Sequence, residues 1–521
     1  MIEITGKQVI KTNFTGTGKQ TFSAWDPSKE STCTDIITEA TADEVDTVCM
    51  AAREAFELYS KVTGLQRAIF LETIAENILL MGDQLIETAH AETGLPLPRL
   101  MGERGRTVDQ LLQFAKLLKE GSWVRAIIDT AEPERRPVPK PDIRQMEVPL
   151  GPVAVFGASN FPFAFSVAGG DTVSALAAGC PVIFKAHPSH PATCEIMATA
   201  IINAIKACDM PHGVFGMVQG ISHEVGGWLV AHPAIKAVGF TGSFSGGKAL
   251  YDIAVRRAEP IPVYAEMGSV NPVFFLPGIL KDKAEILSKG FAASITLGVG
   301  QFCTNPGLFV TLANAESKSF IEQTKTALEE IKVGPMLNKS IRDNYLTKVN
   351  ELGNNIFLTT HTGKQLSAVA PQLFSTNVTA AMQDNSIVEE IFGPSSVGVL
   401  AESKDELLSF AKHLQGHLTA TVYGTNDDLQ EYRELIDILQ MKVGRLVVNG
   451  FPTGVEVTHA MVHGGPYPAT TDSRSTSVGT TAIYRFTRPV CYQDFPDFLL
   501  PAELKEGNPL QILRTVNGGI E

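Results

Sequence analysis

The sequence predicts an α/β protein: two doubly wound α/β units, each a mostly parallel sheet covered by helices, with a small β arm beside them. Three observations carry this expectation. Short continuous apolar runs alternate with stretches long enough to hold a crossover helix, the pattern of parallel strands buried on both faces. The 521 residues suffice for about two to four folding units. A proline-rich polar strip at 133–141 then marks a connector, because so many prolines neither continue a helix nor sit in a central strand.

Before that strip the chain reads as helical after a short polar, strand-like start. Thr41-Ala-Asp-Glu44 has the form of a capping box, and Val45, Val48, Ala52, Ala55, Phe56 and Tyr59 follow at helical spacing. Residues 64–92 and 101–120 carry similar patterns, broken at Gly94-Leu-Pro-Leu-Pro98. Beyond the strip, strands are expected at 153–157, 182–186, 215–219, 237–241 and 263–266. A second series follows at 272–276, 309–313, 396–400, 418–423 and 446–449, with helices such as 315–331 and 404–413 between them. Residues 481–487 alternate polar and apolar like an edge strand that pairs across units or subunits. This assigns 1–132 and 151–264 to the first unit, 265–450 to the second, and 133–150 with 480–500 to the bridging or oligomerisation arm.

Composition narrows the function. Apolar residues make up 44% and charged residues 19%, so disorder is not expected. A net charge of −13 argues against nucleic acid and polybasic membrane partners and for small molecules. The cysteines at 33, 49, 180, 194, 208, 303 and 491 are odd in number and widely spaced, with no zinc-type pattern, which fits free thiols in a reducing compartment and no metal site. With no signal peptide visible at Met1, a cytoplasmic location is the expectation. The apolar stretch 148–184 is punctuated by Asn160, Pro162, Gly169-Gly170 and Pro181, and so is not a membrane span.

Three residues stand out as chemistry. Cys303 lies in Gly298-Val-Gly-Gln-Phe-Cys-Thr-Asn-Pro-Gly307, where flanking glycines set the sulfur on an irregular turn with backbone amides able to converge on whatever it attacks. A thiol with an ordinary pKa of ~8.5 needs a base, and Glu266 ends the apolar strand Val263-Tyr-Ala-Glu-Met-Gly268. Asn160, in Gly157-Ala-Ser-Asn-Phe-Pro162, follows the first strand beyond the strip, where a side-chain amide points into a ligand crevice and can donate to an oxyanion. Each taken alone also fits a structural residue: a small buried cysteine, a strand-end glutamate, a turn asparagine. Phe240-Thr-Gly-Ser-Phe-Ser-Gly-Gly247 could offer helix N-terminal amides to a pyrophosphate, and Lys185 ends a strand at the same rim, facing a ribose or phosphate.

Taken together, Asn160, Lys185, the Phe240-Thr-Gly-Ser243 turn, Glu266-Met-Gly, Gln301-Phe-Cys303 and Glu389-Glu-Ile-Phe-Gly-Pro394 resemble the NAD(P)-dependent aldehyde dehydrogenase superfamily, in its usual order along the whole chain. The resemblance implies that family's fold, with Rossmann-like units: an NAD(P)-binding domain, a catalytic domain and an arm that joins subunits into a homodimer or tetramer. It implies Cys303 as nucleophile, Glu266 as general base, and Asn160 with the Cys303 amide as oxyanion hole. Lys185 and Glu390 would hold the two riboses and Phe392 would pack near the nicotinamide, while Phe156, Gly220, Thr241, Gly242, Ser243 and Gly268 would line the dinucleotide. Two departures, Ser269 after Glu266-Met-Gly and Ala158-Ser159 before Asn160, remove no reacting group. A third bears on the cofactor: Pro188 stands where NAD-preferring members carry an acid, so Lys185, His187 and Ser189 could engage a 2′-phosphate. NADP is therefore expected, with NAD possible.

Within the superfamily, Lys140-Pro-Asp-Ile-Arg144, Lys185-Ala-His-Pro-Ser-His-Pro191 and the stretch from His463 to Gly479 resemble the branch of 2,5-dioxovalerate (α-ketoglutarate semialdehyde) dehydrogenases and a bacterial long-chain fatty aldehyde dehydrogenase. The first implies oxidation of a small acidic aldehyde through an acyl-cysteine, with Arg104, Arg106 or Arg474 as the cation for a substrate carboxylate and Phe163, Phe302 and Phe451 shaping the pocket. The alternatives are a long-chain aldehyde, an acyl-CoA-forming reductase, and a non-catalytic binding protein on the same fold.

Overall fold

The computed structural model describes residues 2–353, 359–362 and 369–521. The first seven-stranded sheet runs in the order Val263–Glu266, Ala237–Thr241, Val153–Phe156, Val182–Lys185, Phe215–Val218, Gln8–Ile10, Asn13–Thr15. The first five strands are parallel, and their valine, isoleucine and phenylalanine side chains are buried against helices on both faces apart from Phe156 and Phe240, which are half-buried. The strand-like start finds its partner here, since Val9 pairs antiparallel with Met217 at the sheet's far side. Register puts Lys185 opposite Phe156 and Val218, and Thr241 opposite Glu266, so the carboxyl ends line up along one edge. Chain order reverses between Val153–Phe156 and Ala237–Thr241, which opens a crevice at that edge.

The helix Ala42–Tyr59 has its capping box: the Glu44 amide donates to Thr41 Oγ1 at 3.2 Å, and the Thr41 amide to Glu44 Oε2 at 2.9 Å. Its expected apolar stripe is buried apart from Phe56, which is half-buried. The expected helix 64–92 is two, Gly64–Leu80 and Gly82–Thr93, because Gly82 takes a left-handed φ of 62° at the junction. The next helix, Leu97–Glu120, starts four residues before the expected 101: Pro98 sits in the first turn, where no intrahelical N–H is lost.

The second seven-stranded sheet runs Thr359–Thr362, Gln372–Asn377, Ser395–Ala401, Leu308–Leu312, Val273–Phe275, His417–Tyr423, Val443–Val448, parallel except for its first strand. The fold is the doubly wound α/β arrangement that the apolar runs imply. A third, five-stranded sheet forms the arm. Ile127–Asp129 and Ile143–Pro149 pair antiparallel on either side of the proline strip, and Thr487–Gln493 joins them. Residues 481–487 are not the edge strand their alternation suggests: Thr480–Phe486 is a 3₁₀ segment that buries Ala482, Ile483 and Phe486, and the strand starts at Thr487. Among the described residues no helix is long and apolar enough to cross a membrane.

Candidate active site

Cys303 sits where a helix of the second sheet unwinds. After Pro277–Thr296, the residues Gly298, Val299 and Gly300 take positive φ values of 57°, 60° and 66°, a conformation that strains Val299 and turns the chain sharply. Gly300 is required by close approach, since a Cβ there would lie 2.3 Å from the Gly393 carbonyl carbon. Asn271 Nδ2 donates to the carbonyls of Cys303 (2.8 Å) and Asn305 (2.9 Å) and pins the turn.

Opposite the sulfur is a residue whose role sequence reasoning missed. His463 Nε2 lies 3.3 Å from Cys303 Sγ and 3.0 Å from Glu266 Oε1. The second contact is off the hydrogen-bonding direction, so Oε1 stays a buried acceptor without a hydrogen-bond partner, while Ser477 Oγ donates to Oε2 at 2.5 Å. His463 and Ser477 arrive because the segment that carries them docks on the Val263–Glu266 strand. The Met267 amide donates to the Ala469 carbonyl at 2.8 Å and the Thr471 amide to the Ala265 carbonyl at 3.1 Å. The His463 amide is itself held by Thr476 Oγ1 at 2.8 Å.

Burial pushes the Glu266 carboxyl up, but His463, the Ser477 hydroxyl and the field of Arg485 outweigh it and hold the group below the ordinary carboxylate range. Burial, joined by the Glu266 charge, drives the Cys303 thiol well above its ordinary range. The resting pair is thus a protonated thiol beside a carboxylate anion, with one imidazole nitrogen facing both. Asn160 is close by: its Nδ2 donates to the Gln301 carbonyl at 2.9 Å, which leaves one amide hydrogen uncommitted.

Along the first sheet's edge, Ser243 caps the helix Phe244–Val255 by accepting from the Gly246 amide at 3.2 Å, and the Gly242–Ser245 turn is exposed. Gly268 allows a close approach, since a Cβ there would fall 2.4 Å from Glu390 Oε2. Burial pushes Glu390 up to about 7, and the Glu266 charge adds to it. Lys185 Nζ donates to the Ala186 carbonyl at 3.0 Å and also to that of Gly220, and burial lowers it to about 8. Phe156 packs 6.3 Å from Phe240, and Phe392 is half-buried against the first sheet's core.

The aldehyde dehydrogenase family model matches residues 14–485. The chain belongs to the aldehyde dehydrogenase family. It is 48% identical over 532 residues to "Alpha-ketoglutaric semialdehyde dehydrogenase 2" of Azospirillum brasilense, with 100% of both chains covered. It is 46% identical to "Alpha-ketoglutaric semialdehyde dehydrogenase" of Acinetobacter baylyi, with 99% of each covered. Among solved structures, 1-pyrroline-5-carboxylate dehydrogenase from Thermus with bound NAD superposes with a TM-score of 0.79 at 22% identity, over 94% of this chain and 92% of that one. Aldehyde dehydrogenase from Bacillus cereus also gives 0.79 at 22%, over 94% and 96%. These likenesses show the family's fold.

Of the three arginines expected to meet a substrate in this dehydrogenase, the structure brings only Arg106 to the site. Arg104, two residues away and so on another face of the helix, donates to the Gly82 carbonyl at 3.0 Å. Arg474 is 89% exposed beside Asp472. Arg106 instead lies 5.6 Å over the Phe161 ring and 5.5 Å over Phe165, within electrostatic reach of Cys303 and Glu266. Arg99, on the same helix face at i−7, stacks over Phe161 (4.9 Å) and Phe302 (5.2 Å) and donates to the Asn160 carbonyl at 2.7 Å. The intervening Glu103 gives one oxygen to the amides of Phe163 (2.8 Å) and Ala164 (3.0 Å). Neither arginine forms an ion pair among the described residues, and Arg106 Nε is buried without a partner.

The aromatic wall beside the thiol is therefore Phe161, Phe165 and Phe302. Phe163 faces the opposite way, fully buried in the first sheet's core, and Phe451 packs against Phe291 and Tyr423 of the second. Beside the end of the Val182–Lys185 strand, burial holds His187 well below its ordinary range, so it is a neutral ring stacked on His190 at 5.3 Å, with Nδ1 accepting from the Ser189 amide at 3.1 Å. The Ser189 hydroxyl accepts from Asn338 Nδ2 at 2.8 Å. His187 is thus a neutral ring, and Lys185 is the charged member of the three residues expected to engage a 2′-phosphate.

Proposed function

We propose that this dehydrogenase oxidises α-ketoglutarate semialdehyde to 2-oxoglutarate with NADP, NAD serving less well. The observation that carries the reaction class is the Cys303 thiol and the anionic Glu266 carboxylate brought together on one nitrogen of His463, at the carboxyl edge of a parallel sheet. The full-length similarity to two α-ketoglutaric semialdehyde dehydrogenases supports the substrate.

The rim fits a dinucleotide. The exposed amides of the Gly242–Ser245 turn suit a pyrophosphate, Lys185 and Glu390 suit the riboses, and Phe156, Gly220, Thr241, Gly268 and Phe392 fill in between, while Pro188 removes the acid that would repel a 2′-phosphate. When bound, the nicotinamide supplies the hydride acceptor. Cys303 Sγ adds to the aldehyde carbon as His463 Nε2 takes its proton, with the Glu266 carboxylate beside the charged ring. The oxyanion accepts from the free Asn160 amide hydrogen and the Cys303 backbone amide, and hydride loss leaves a thioester on Cys303. Glu266 then takes a proton from the attacking water, His463 returns its proton to the departing sulfur, and as the acid leaves with the thiol restored the Glu266 proton passes to solvent.

Arg106 and Arg99, two cations beside the thiol with one acid between them, are the proposed receptor for the substrate carboxylate. We also propose that the 1–132 and 151–264 segments bind the dinucleotide, that 265–450 carries the nucleophile, and that subunits of a homo-oligomer meet through the arm. The test is kcat/KM for short acidic semialdehydes against long-chain aldehydes with both cofactors. The short acidic substrate with NADP is expected to lead; a lead for long-chain aldehydes overturns the substrate, and a lead for NAD overturns the cofactor.

A further inference from the structure

No run of this sequence has zinc-ligand spacing, yet the fold assembles a zinc-like donor set from positions 266, 303 and 463. Glu266, Cys303 and His463 each offer one ligand atom, and the three atoms lie within 4.8 Å of one another. Sγ to Nε2 is 3.3 Å and Nε2 to Oε1 is 3.0 Å. A tetrahedral zinc ion, with bonds of about 2.3 Å to sulfur and about 2.0–2.2 Å to nitrogen and oxygen, keeps its ligand atoms roughly 3.3–3.7 Å apart. We propose that these three side chains form a Zn²⁺ site whose occupancy blocks the enzyme.

Three features favour a built site over a chance cluster. Thiolate, imidazole and carboxylate are the donors this borderline-soft ion takes. The supporting groups are in place: Ser477 holds the other Glu266 oxygen at 2.5 Å, and His463 is fixed through its amide to Thr476 at 2.8 Å and its carbonyl to the Ser477 amide at 2.8 Å. Glu266 Oε1 is a buried acceptor with no hydrogen-bond partner, a position that a cation satisfies.

Binding is not a redox step. A Zn–S bond forms as the thiol proton leaves for solvent, Nε2 and Oε1 add two more bonds, and the fourth position stays open. The sulfur lone pair that would attack the aldehyde is then committed to the metal, so zinc competes with aldehyde. This inhibition rests on Cys303 being the nucleophile; the binding itself does not.

The experiment uses the full-length, chelator-treated protein, with Co²⁺ as the optical probe and Zn²⁺ as its competitor. One cobalt per chain is expected, with a thiolate charge-transfer band that zinc abolishes. Cys303→Ala should lose the band, His463→Ala and Glu266→Gln should each weaken zinc at least about tenfold, and Cys491→Ser, a change at the exposed thiol, should leave it unchanged. Because His463→Ala removes a buried side chain, Glu266→Gln, nearly isosteric, guards against a folding artefact. In the assay, zinc should raise the apparent KM for aldehyde, reversibly with chelator. No band in the wild-type protein overturns the site, as does zinc affinity unaltered in both His463→Ala and Glu266→Gln, which would mean binding by sulfur alone. A band without aldehyde oxidation would leave the site standing and defeat the dehydrogenase reading.

Discussion

The two seven-stranded sheets share one architecture, and in each the chain order reverses beside the parallel strand that comes first, yet the two crevices are lined differently. At the reversal in the second sheet, the helix that follows Val273–Phe275 has its first amides taken by the protein itself. Asp428 accepts from Gly278 and Ile279, both at 2.9 Å, and from Thr425 at 2.9 Å. The space above is filled by Phe275 on Tyr423 at 5.2 Å, with Phe451 at 5.0 Å from Tyr423. At the reversal in the first sheet, the helix Phe244–Val255 begins with a serine cap and an exposed turn, and the strand ends carry Lys185, Thr241 and Glu266. A doubly wound sheet supplies the crevice; whether it binds a ligand depends on whether the chain has already filled it with its own carboxylate and rings.

The largest test of that contrast is at the open crevice. Cys303→Ala should lower aldehyde-dependent NADPH formation by at least about 10⁴-fold, because a nucleophile acts as a unit with its base. Steady turnover in that variant would place the chemistry elsewhere. Next, Arg106→Ala should cut kcat/KM for an acidic semialdehyde by ~30-fold or more, the worth of about 2 kcal/mol from a charge-assisted contact, while a neutral aldehyde of equal length keeps its rate. Equal losses on both would make the residue structural.

The closed crevice should respond differently. Asp428→Ala leaves helix amides unpaired in a buried setting and should cost about 2–3 kcal/mol of stability, read by chemical denaturation, with KM for NADP unchanged. A change in cofactor KM would mean that the second crevice takes part in binding. The smallest effect concerns pH. Lys185, lowered to about 8, loses its charge as pH rises through that value. KM for NADP should therefore climb between about pH 8 and 10, and Lys185→Met should flatten the rise.

Much of this contrast was legible in the sequence because it is local. The parallel strands are continuous apolar runs, and 237–241 and 263–266 match their observed ends. Cys303 and Glu266 announce themselves through flanking glycines and strand-end position. What escaped depends on phase or on distant pairing. Arg104 and Arg106 are alike in composition, and only the helix phase shared by residues 99, 103 and 106 separates the site arginine from the one that holds Gly82. The alternation at 481–487 fits a strand, yet packing of Ala482, Ile483 and Phe486 selects a 3₁₀ turn. His463 and Ser477 lie in a Gly/Ser/Thr-rich stretch without periodicity, and the strand they dock against ends about 200 residues earlier, at Glu266.

Catalysis in this enzyme depends on a substrate carbon bonding to one sulfur in the open crevice. Wild-type enzyme, acid-quenched during its first turnover with semialdehyde and NADP, should carry a thioester on the peptide containing Cys303, with one NADPH formed for each adduct, as read by peptide mass spectrometry and absorbance. NADPH formed with that peptide unmodified, or with the adduct on another cysteine, would contradict it.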